Sequence, residues 1–204
     1  FLQSVIVDKK LNSDSMLIGD KNALIVAARC SGYGHDYGTT ITCPNCTTST
    51  TIDVDLEESR QPYAGYKAED ADEPLEGVEG PNASGNYIIT LPVSKARFEV
   101  KLMTGREEKA FAKRLETRRK KRQAEAMMTD QFKTFTISIN DVGDLRQMYK
   151  FIDNLPVRDS RFLRNQYAKL SPALNLKHDF MCQECGYEQE VEVPITAQFF
   201  WPDA

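Results

Sequence analysis

The sequence lacks a run of eighteen or more apolar residues, and no signal peptide is visible. A helix that crosses a bilayer needs about 20 apolar residues, so we expect a soluble protein that neither spans a membrane nor is exported. The chain starts at Phe1 without methionine, and the residues that follow already have the composition of structured protein. We therefore expect further sequence before Phe1.

Features typical of enzymes are also scarce. The chain has two histidines, His35 and His178, so a histidine acid/base pair has few candidates. A Gly-rich phosphate loop, a nucleophile elbow and a His-rich metal motif are missing. His178 lies close to Cys182 in the sequence and is better interpreted as a residue of the surrounding hairpin. We expect no catalytic activity.

Cysteine is limited to five residues. An odd number argues against a secreted disulfide scaffold and suits a reducing cytosol. Four of the five form two short pairs, Cys43 with Cys46 and Cys182 with Cys185. The remaining one, Cys30, is expected to be a small buried apolar residue rather than a nucleophile.

The two Cys-x-x-Cys pairs predict a metal site. Each pair holds two thiolates in a tight turn, the spacing that lets both sulfurs reach one tetrahedral ion at about 2.3 Å. The segments before and after each pair alternate like strands, so each pair predicts a zinc knuckle on a hairpin. Together Cys43, Cys46, Cys182 and Cys185 have the ligand count of one closed, structural Zn²⁺ site.

Other interpretations of the cysteines remain open. A usual zinc ribbon separates its pairs by about 15 to 20 residues, whereas more than a hundred residues lie between Cys46 and Cys182. The chain could instead carry two half-sites, each completed by another chain, or disulfides, or unrelated reduced thiols. A thioredoxin-like redox motif fits less well because such a pair opens a helix in a βαβ unit.

Two segments between the cysteine pairs are strongly charged. Residues 57–85 are rich in Asp, Glu, Gly and Pro and predict an acidic loop or insertion. Residues 104–130 predict a protruding basic helix, which starts with a capping box formed by Thr104 and Glu107. Its basic run ends at Arg122, but no aromatic residue interleaves it and the net charge of the chain is -4. A solvated face or a protein partner is therefore favoured over nucleic acid.

The remaining patterns mix strands and helices. Residues 132–139 alternate and predict a strand, whereas 144–154 and a segment from Asp159 or Ser160 to Leu170 predict a helical hairpin. An earlier helix over 22–30 has Asp20 as its N-cap and Gly32 as its stop. The predicted fold is α+β, with short antiparallel strands and hairpins, a zinc-ribbon-like four-cysteine site joining distant segments, a long charged helix and a C-terminal helical hairpin. Since the cysteine pairs must meet, we predict a single intertwined domain over residues 1–204.

The order of motifs along the chain is similar to that of a known protein family. It runs through Asn22-Ala23-Leu24-Ile25, Tyr33-Gly34, a Cys-Pro-x-Cys hairpin, an acidic stretch, a helical middle, Phe180-x-Cys182-x-x-Cys185-Gly186 and Phe199-Phe200-Trp201-Pro202. From about Asp20 to Pro202 the chain resembles the baseplate hub family of T-even-like contractile-tailed bacteriophages. The acidic segment and the basic helix of this chain are longer and more charged than we expect for that family.

The resemblance implies a structural component or an assembly factor of the tail baseplate hub. It would contact other phage tail and baseplate proteins, belong to the virion tail baseplate and be assembled in the host cytoplasm. The four cysteines would be structural ligands, and no enzyme is implied. The alternative function is a zinc-ribbon nucleic-acid-binding or transcription accessory protein that uses residues 113–122. The three aromatic residues near the C-terminus would cover the chain's own core or fill a neighbour's pocket, with the core favoured.

Overall fold

The computed structural model describes residues 2–57, 73–120, 127–171, 176–194 and 197–200. Its helices and short antiparallel strands confirm the α+β class. In the described ranges, no helix has the length and apolar character needed to cross a membrane. The elements in chain order are α1 (Leu2–Val5), a 3-10 turn (Ser13–Ser15), α2 (Ile18–Tyr33), β1 (Asp36–Thr42), β2 (Ser49–Asp55), β3 (Val78–Glu79), β4 (Tyr87–Thr90), β5 (Arg97–Val100), α3 (Gly105–Lys120), α4 (Met127–Phe135), β6 (Thr136–Ile139), α5 (Leu145–Asp153), α6 (Val157–Leu170), β7 (Lys177–Met181), β8 (Glu188–Glu192) and α7 (Ala197–Phe200).

The contacts divide the chain into two compact units, whereas the sequence predicted one intertwined domain. Unit 1 contains Phe1, Gln3–Ile18 and Ala64–Pro172. Unit 2 contains Leu2, Gly19–Tyr63 and Ala173–Ala204. Both cysteine pairs belong to unit 2, so the pairs meet without any residue of unit 1. Most of the residues between the two pairs belong to unit 1, so unit 1 interrupts the sequence of unit 2. Proteins tolerate domain insertions of this kind.

Unit 1 is built on an antiparallel sheet with the strand order β3-β4-β5-β6. Alternate residues of β4 and β5 are buried, as the two-residue period of a strand requires. Phe135 of α4 stacks on Tyr167 of α6, with ring centroids 3.8 Å apart. The buried core of this unit consists of Val78, Tyr87, Ile89, Leu91, Ala96, Phe98, Val100, Phe132, Phe135, Ile139, Met148, Ile152, Leu163, Tyr167 and Leu170.

A buried carboxylate joins α6 to the turn between β4 and β5. Asp159 is fully buried, and its two oxygens accept the backbone N–H groups of Val93 and Ser94, each at 2.8 Å. Burial alone would raise the pKa of Asp159, but the hydrogen bonds from Ser94 and Val93 outweigh it and lower the pKa. The sequence placed Asp159 near the start of a helix, and the structure adds this anchoring role.

Unit 2 consists of α2 from Gly19 onward, the β1–β2 hairpin, the β7–β8 hairpin and α7. Its main core contains Tyr37 and Phe199, whose rings meet edge to face with centroids 5.0 Å apart. The Tyr37 hydroxyl donates to the carbonyl oxygen of Pro194 at 2.9 Å. Phe199 is therefore part of the core of its own chain, as favoured from the sequence, whereas Trp201 lies outside the described residues.

Several predicted boundaries differ from the structure. Helix α2 begins at Ile18, so Asp20 lies in its first turn and is not its N-cap. The helix also passes through Gly32, and Gly34, with a φ of 84°, follows its end. A positive φ is accessible to glycine at little cost, which makes Gly34 the better stop.

The segment 132–139 was predicted as one strand, which is wrong for its first half. Residues 132–135 belong to α4, and only Thr136–Ile139 forms a strand. Phe132 and Phe135 are both buried, and their spacing of three residues places them on one helix face, whereas a strand would direct them to opposite faces. The regular alternation of the segment is therefore confined to its second half.

The two charged segments are described in part. Residues 58–72 lie outside the described ranges, but Val78–Glu79 of the predicted acidic loop forms β3 and pairs with β4. Residues 121–126 of the predicted basic helix also lie outside them, so its continuity from 104 to 130 stays a prediction. The described parts of that segment are α3 and the start of α4.

Candidate metal centre

Two hairpins carry the four paired cysteines. Strand β1 ends one residue before Cys43, and its partner β2 begins three residues after Cys46. Strand β7 ends one residue before Cys182, and β8 begins three residues after Cys185. Each Cys-x-x-Cys pair thus occupies the connection of an antiparallel hairpin, as the alternating flanks predicted.

The two connections use the same backbone hydrogen bonds. In the first, the N–H of Thr47 donates to the carbonyl oxygen of Cys43 at 2.9 Å, and the N–H of Cys43 donates to Thr48 at 2.9 Å. In the second, Gly186 donates to Cys182 at 2.9 Å, and Cys182 donates to Tyr187 at 2.9 Å. The two knuckles are therefore repeats of one local structure.

The residue after the second cysteine of each pair has a left-handed backbone. Gly186 has a φ of 66°, and Thr47 has a φ of 60°. Glycine adopts this conformation freely, whereas a β-branched residue is strained there. The Thr47 hydroxyl donates to the carbonyl oxygen of Cys46 at 2.7 Å, which offsets part of that strain.

The four sulfur atoms lie at the corners of a compact cluster. The Sγ atoms of Cys43 and Cys185 are 3.7 Å apart, and those of Cys46 and Cys182 are 3.6 Å apart. All four lie within 4.8 Å of one another. A tetrahedral ion with bonds of about 2.3 Å separates its sulfur ligands by about 3.8 Å, so the cluster fits such an ion. A disulfide would need about 2.05 Å, and none of these four cysteines forms a disulfide.

The surroundings of the sulfurs are apolar on one side and open on the other. Cys43 and Cys182 are buried together with Ile41 and Phe180, whereas Cys185 is exposed. The side-chain amide of Asn45 lies 3.6 Å from the sulfur of Cys185 and donates to it. Cys43 and Cys182 are thus held by packing, and Cys185 is held by the hydrogen bond from Asn45.

The thiols at the cluster differ in acidity. Hydrogen bonds from the side chain and backbone of Thr48 lower the pKa of Cys46 to about 6. The backbone N–H of Cys185 alone would lower the pKa of Cys182, but burial and the neighbouring thiols of Cys46 and Cys185 bring it to about 11. One thiolate therefore forms readily, while the crowding of sulfurs opposes a second negative charge. A cation among the sulfurs removes that opposition because it attracts every thiolate.

This arrangement has the chemistry of a structural site. Four thiolates complete a tetrahedral shell and leave no open position for water or substrate. Tetrahedral coordination by four sulfurs is typical of zinc and of iron–sulfur sites. The geometry is compatible with a metal ion that joins two segments distant in sequence, and its donor set excludes hard cations such as Mg²⁺, which prefer oxygen.

The other residues considered from the sequence lie away from the sulfur cluster. Cys30 is buried at 7% exposure in the main core of unit 2, as expected for a small apolar residue. His178 is a half-buried residue of β7, and His35 pairs with Glu57 at 2.8 Å. In the described part of the chain, the cysteine cluster includes neither histidine.

Asn45 and Thr47 were not identified from the sequence as parts of the site. The sequence does contain a signal for Thr47. When Cys-Pro-Asn-Cys-Thr is aligned with Cys-Gln-Glu-Cys-Gly, Thr47 occupies the position that Gly186 has in the second pair. No such signal exists for Asn45, because its contact with Cys185 depends on how the hairpins meet.

No protein-family model, curated protein or solved structure gives a significant match to this chain.

Proposed function

We propose that this protein is a structural component or an assembly factor of a contractile phage tail baseplate hub. It acts through protein–protein contacts on a scaffold that a Zn²⁺ ion stabilises. The observation that carries the scaffold role is the closed cluster of four sulfurs in unit 2. The tail assignment rests on the order of motifs in the sequence, and no catalytic step is part of the proposal.

Unit 2 is the smaller of the two units. Its described elements are two hairpins and two helices, and an isolated hairpin is marginally stable in water. Metal binding contributes on the order of 10 to 16 kcal/mol to the folding of small zinc peptides. One ion can therefore hold the two hairpins together where the apolar core alone is small. Zn²⁺ suits this role because it has no redox chemistry.

Deletion of the gene from a contractile-tailed phage that encodes this chain tests the tail assignment. We expect the host cells to accumulate heads and baseplate parts but few complete tails, as seen by electron microscopy of the lysate. Expression of the intact chain from a plasmid should restore tails, whereas a chain with all four paired cysteines replaced by serine should not. Normal tails and plaques after deletion would contradict the proposal.

A further inference from the structure

The two units carry opposite net charges. Unit 1 has 22 lysines and arginines against 18 acidic residues, a net charge of +4. Unit 2 has 4 against 12, a net charge of -8. A divalent ion held by four thiolates would add two further negative charges to unit 2. The modest net charge of the whole chain therefore conceals a strong separation of charge.

The positive charge of unit 1 is concentrated on α3. This helix has seven basic and three acidic residues. Arg106, Lys113 and Lys120 are exposed and recur every seven residues, about 10.5 Å apart along the axis, so they follow one line on the surface. Arg114 is also exposed and lies about a quarter turn around the helix from this line.

Contacts within unit 1 leave this face of α3 available. Lys109 pairs with Asp14 at 2.7 Å, and Arg118 pairs with the buried Asp130 at 2.9 Å. These two ion pairs attach the helix to the rest of unit 1. Arg106, Lys113 and Arg114 form no ion pair with any residue that the structure describes, and Lys120 forms an exposed ion pair with Glu116 of the same helix at 2.7 Å. We call the exposed side chains of Arg106, Lys113, Arg114 and Lys120 the basic face.

The negative charge of unit 2 is displayed on its two hairpins. The exposed side of β7 and β8 carries four acidic residues, Asp179, Glu188, Glu190 and Glu192. One of them, Glu190, forms an ion pair with Lys177 at 2.5 Å. The exposed side of β1 and β2 carries further acidic residues and no basic residue. These are Asp36, Asp53 and Asp55.

Two pairs of like charges lie directly opposite each other in these hairpins. Asp36 pairs with Asp55 in the β1–β2 ladder, and Asp179 pairs with Glu190 in the β7–β8 ladder. Like charges in such positions destabilise a sheet. In the β7–β8 hairpin, Lys177 already pairs with Glu190, whereas the Asp36–Asp55 pair of the β1–β2 hairpin is an unfavourable arrangement that a cationic partner would relieve.

We propose that the basic face of α3 docks on the acidic hairpin side of a second copy of this chain. The two surfaces are complementary in charge, and every copy supplies both of them. Because the donor and acceptor surfaces differ, the contact is head to tail and leads to a closed ring or a growing series rather than to a symmetric dimer. This proposal does not depend on the phage assignment.

A nucleic acid is the competing partner for a basic helix. Single-stranded nucleic acids are usually bound by aromatic side chains that stack on bases as well as by cations. The basic face consists of four aliphatic cationic side chains and has no aromatic ring. Because the same chain carries an acidic surface that is complementary to the basic face, a second copy of the chain is favoured over a nucleic acid.

The test is sedimentation velocity of the full metal-loaded chain, freed of nucleic acid, over a range of concentrations. At about 50 mM NaCl we expect concentration-dependent assembly, and at about 500 mM a dissociation constant at least about tenfold higher because salt screens exposed charges. Lys113→Glu with Arg114→Glu should abolish assembly, as should Glu188→Lys with Glu192→Lys. An equimolar mixture of these two double variants should assemble again, because each supplies the charge that the other lacks.

A matched control places the same change of charge outside the basic face. Arg146→Glu with Arg161→Glu makes the same charge change at exposed positions of α5 and α6 and should leave assembly unchanged. Bound metal and circular dichroism should match the parent in every variant. A parent chain that stays monomeric at low salt would overturn the proposal. So would a parent that assembles only after an oligonucleotide is added, because the basic face would then bind nucleic acid.

Discussion

Cys182 is one of the two buried cysteines of the cluster, and its sulfur lies 3.6 Å from that of Cys46. Cys182→Ser replaces a thiolate by a hydroxyl that is a poor donor for a metal among sulfurs. We expect the bound metal to be lost and unit 2 to be destabilised by more than about 4 kcal/mol, since loss of a metal belongs to the few large single-residue effects. Metal content and thermal unfolding measure both.

The matched control for this substitution is Cys30→Ala. Cys30 is equally a buried cysteine of unit 2 but lies outside the sulfur cluster. Its replacement removes one sulfur atom from the core and should cost about 1 kcal/mol with full retention of metal. If Cys182→Ser and Cys30→Ala behaved alike, the four sulfurs would not be acting as a metal site.

Glu107 makes unit 1 sensitive to acid. Burial alone would raise its pKa, but hydrogen bonds from Lys101 and Thr104 outweigh this and lower the pKa to about 2. The ordinary pKa of the carboxyl is 4.5. The group therefore stabilises unit 1 fully above pH 4.5, and this stabilisation is lost as the pH falls toward 2.

Glu107→Ala removes the carboxylate that accepts hydrogen bonds from the N–H and the hydroxyl of Thr104, and it removes the ion pair with Lys101 at 2.7 Å. We expect unit 1 to lose about 1 to 2 kcal/mol at pH 7, with a difference from the parent that shrinks between pH 4.5 and 2. Amide exchange in β4 and β5 reports on unit 1 alone. Glu116→Ala, which breaks an exposed pair with Lys120, should cost less than about 0.5 kcal/mol. An equal cost for both variants at every pH would contradict the argument.

At the scale of elements, the knuckle conformation requires a residue that tolerates a positive φ. Gly186→Ala adds a Cβ that meets no atom within 4 Å, so its cost comes from the backbone alone. We expect a loss of about 1 kcal/mol. Gly32→Ala also adds a Cβ in open space, but inside α2, and should stabilise by about 0.5 to 1 kcal/mol. Urea unfolding compares the two, and opposite signs are the expected result.

The elements best predicted from the sequence are those whose signal is local. The Cys-x-x-Cys pairs with alternating flanks predicted two hairpins, and Asp144 predicted the start of α5, where its side chain accepts the N–H of Gln147 at 2.9 Å. Cap and knuckle geometries are decided within a few residues of the chain, so their residues identify them directly.

Elements that depend on distant contacts were predicted less well. Strand β3 has two residues and exists through its pairing with β4, so its composition resembled a loop. The boundary between α4 and β6 depends on which core positions Phe132 and Phe135 fill. The sequence predicts a single intertwined domain because the cysteine pairs must meet, whereas the contacts give two units with both pairs in unit 2.

At the scale of the whole molecule, a metal clasp confined to unit 2 predicts unequal responses to metal removal. A strong chelator should unfold unit 2, whereas unit 1 should keep its core because it contains none of the four ligands. Hydrogen exchange followed by mass spectrometry should show lost protection in β1, β2, β7 and β8 and retained protection in β4 and β5. Equal loss of protection in both units would show that their folding is coupled, which this account does not predict.

We propose that four cysteines of one chain hold one structural metal ion. The most direct measurement is a native mass spectrum of the protein purified without added metal, repeated after denaturation, with X-ray absorption to identify the ligands. We expect one zinc ion per chain, lost on denaturation, with four sulfur neighbours at about 2.3 Å. A chain without metal, a disulfide in place of the thiols, or zinc found only between two chains would contradict it.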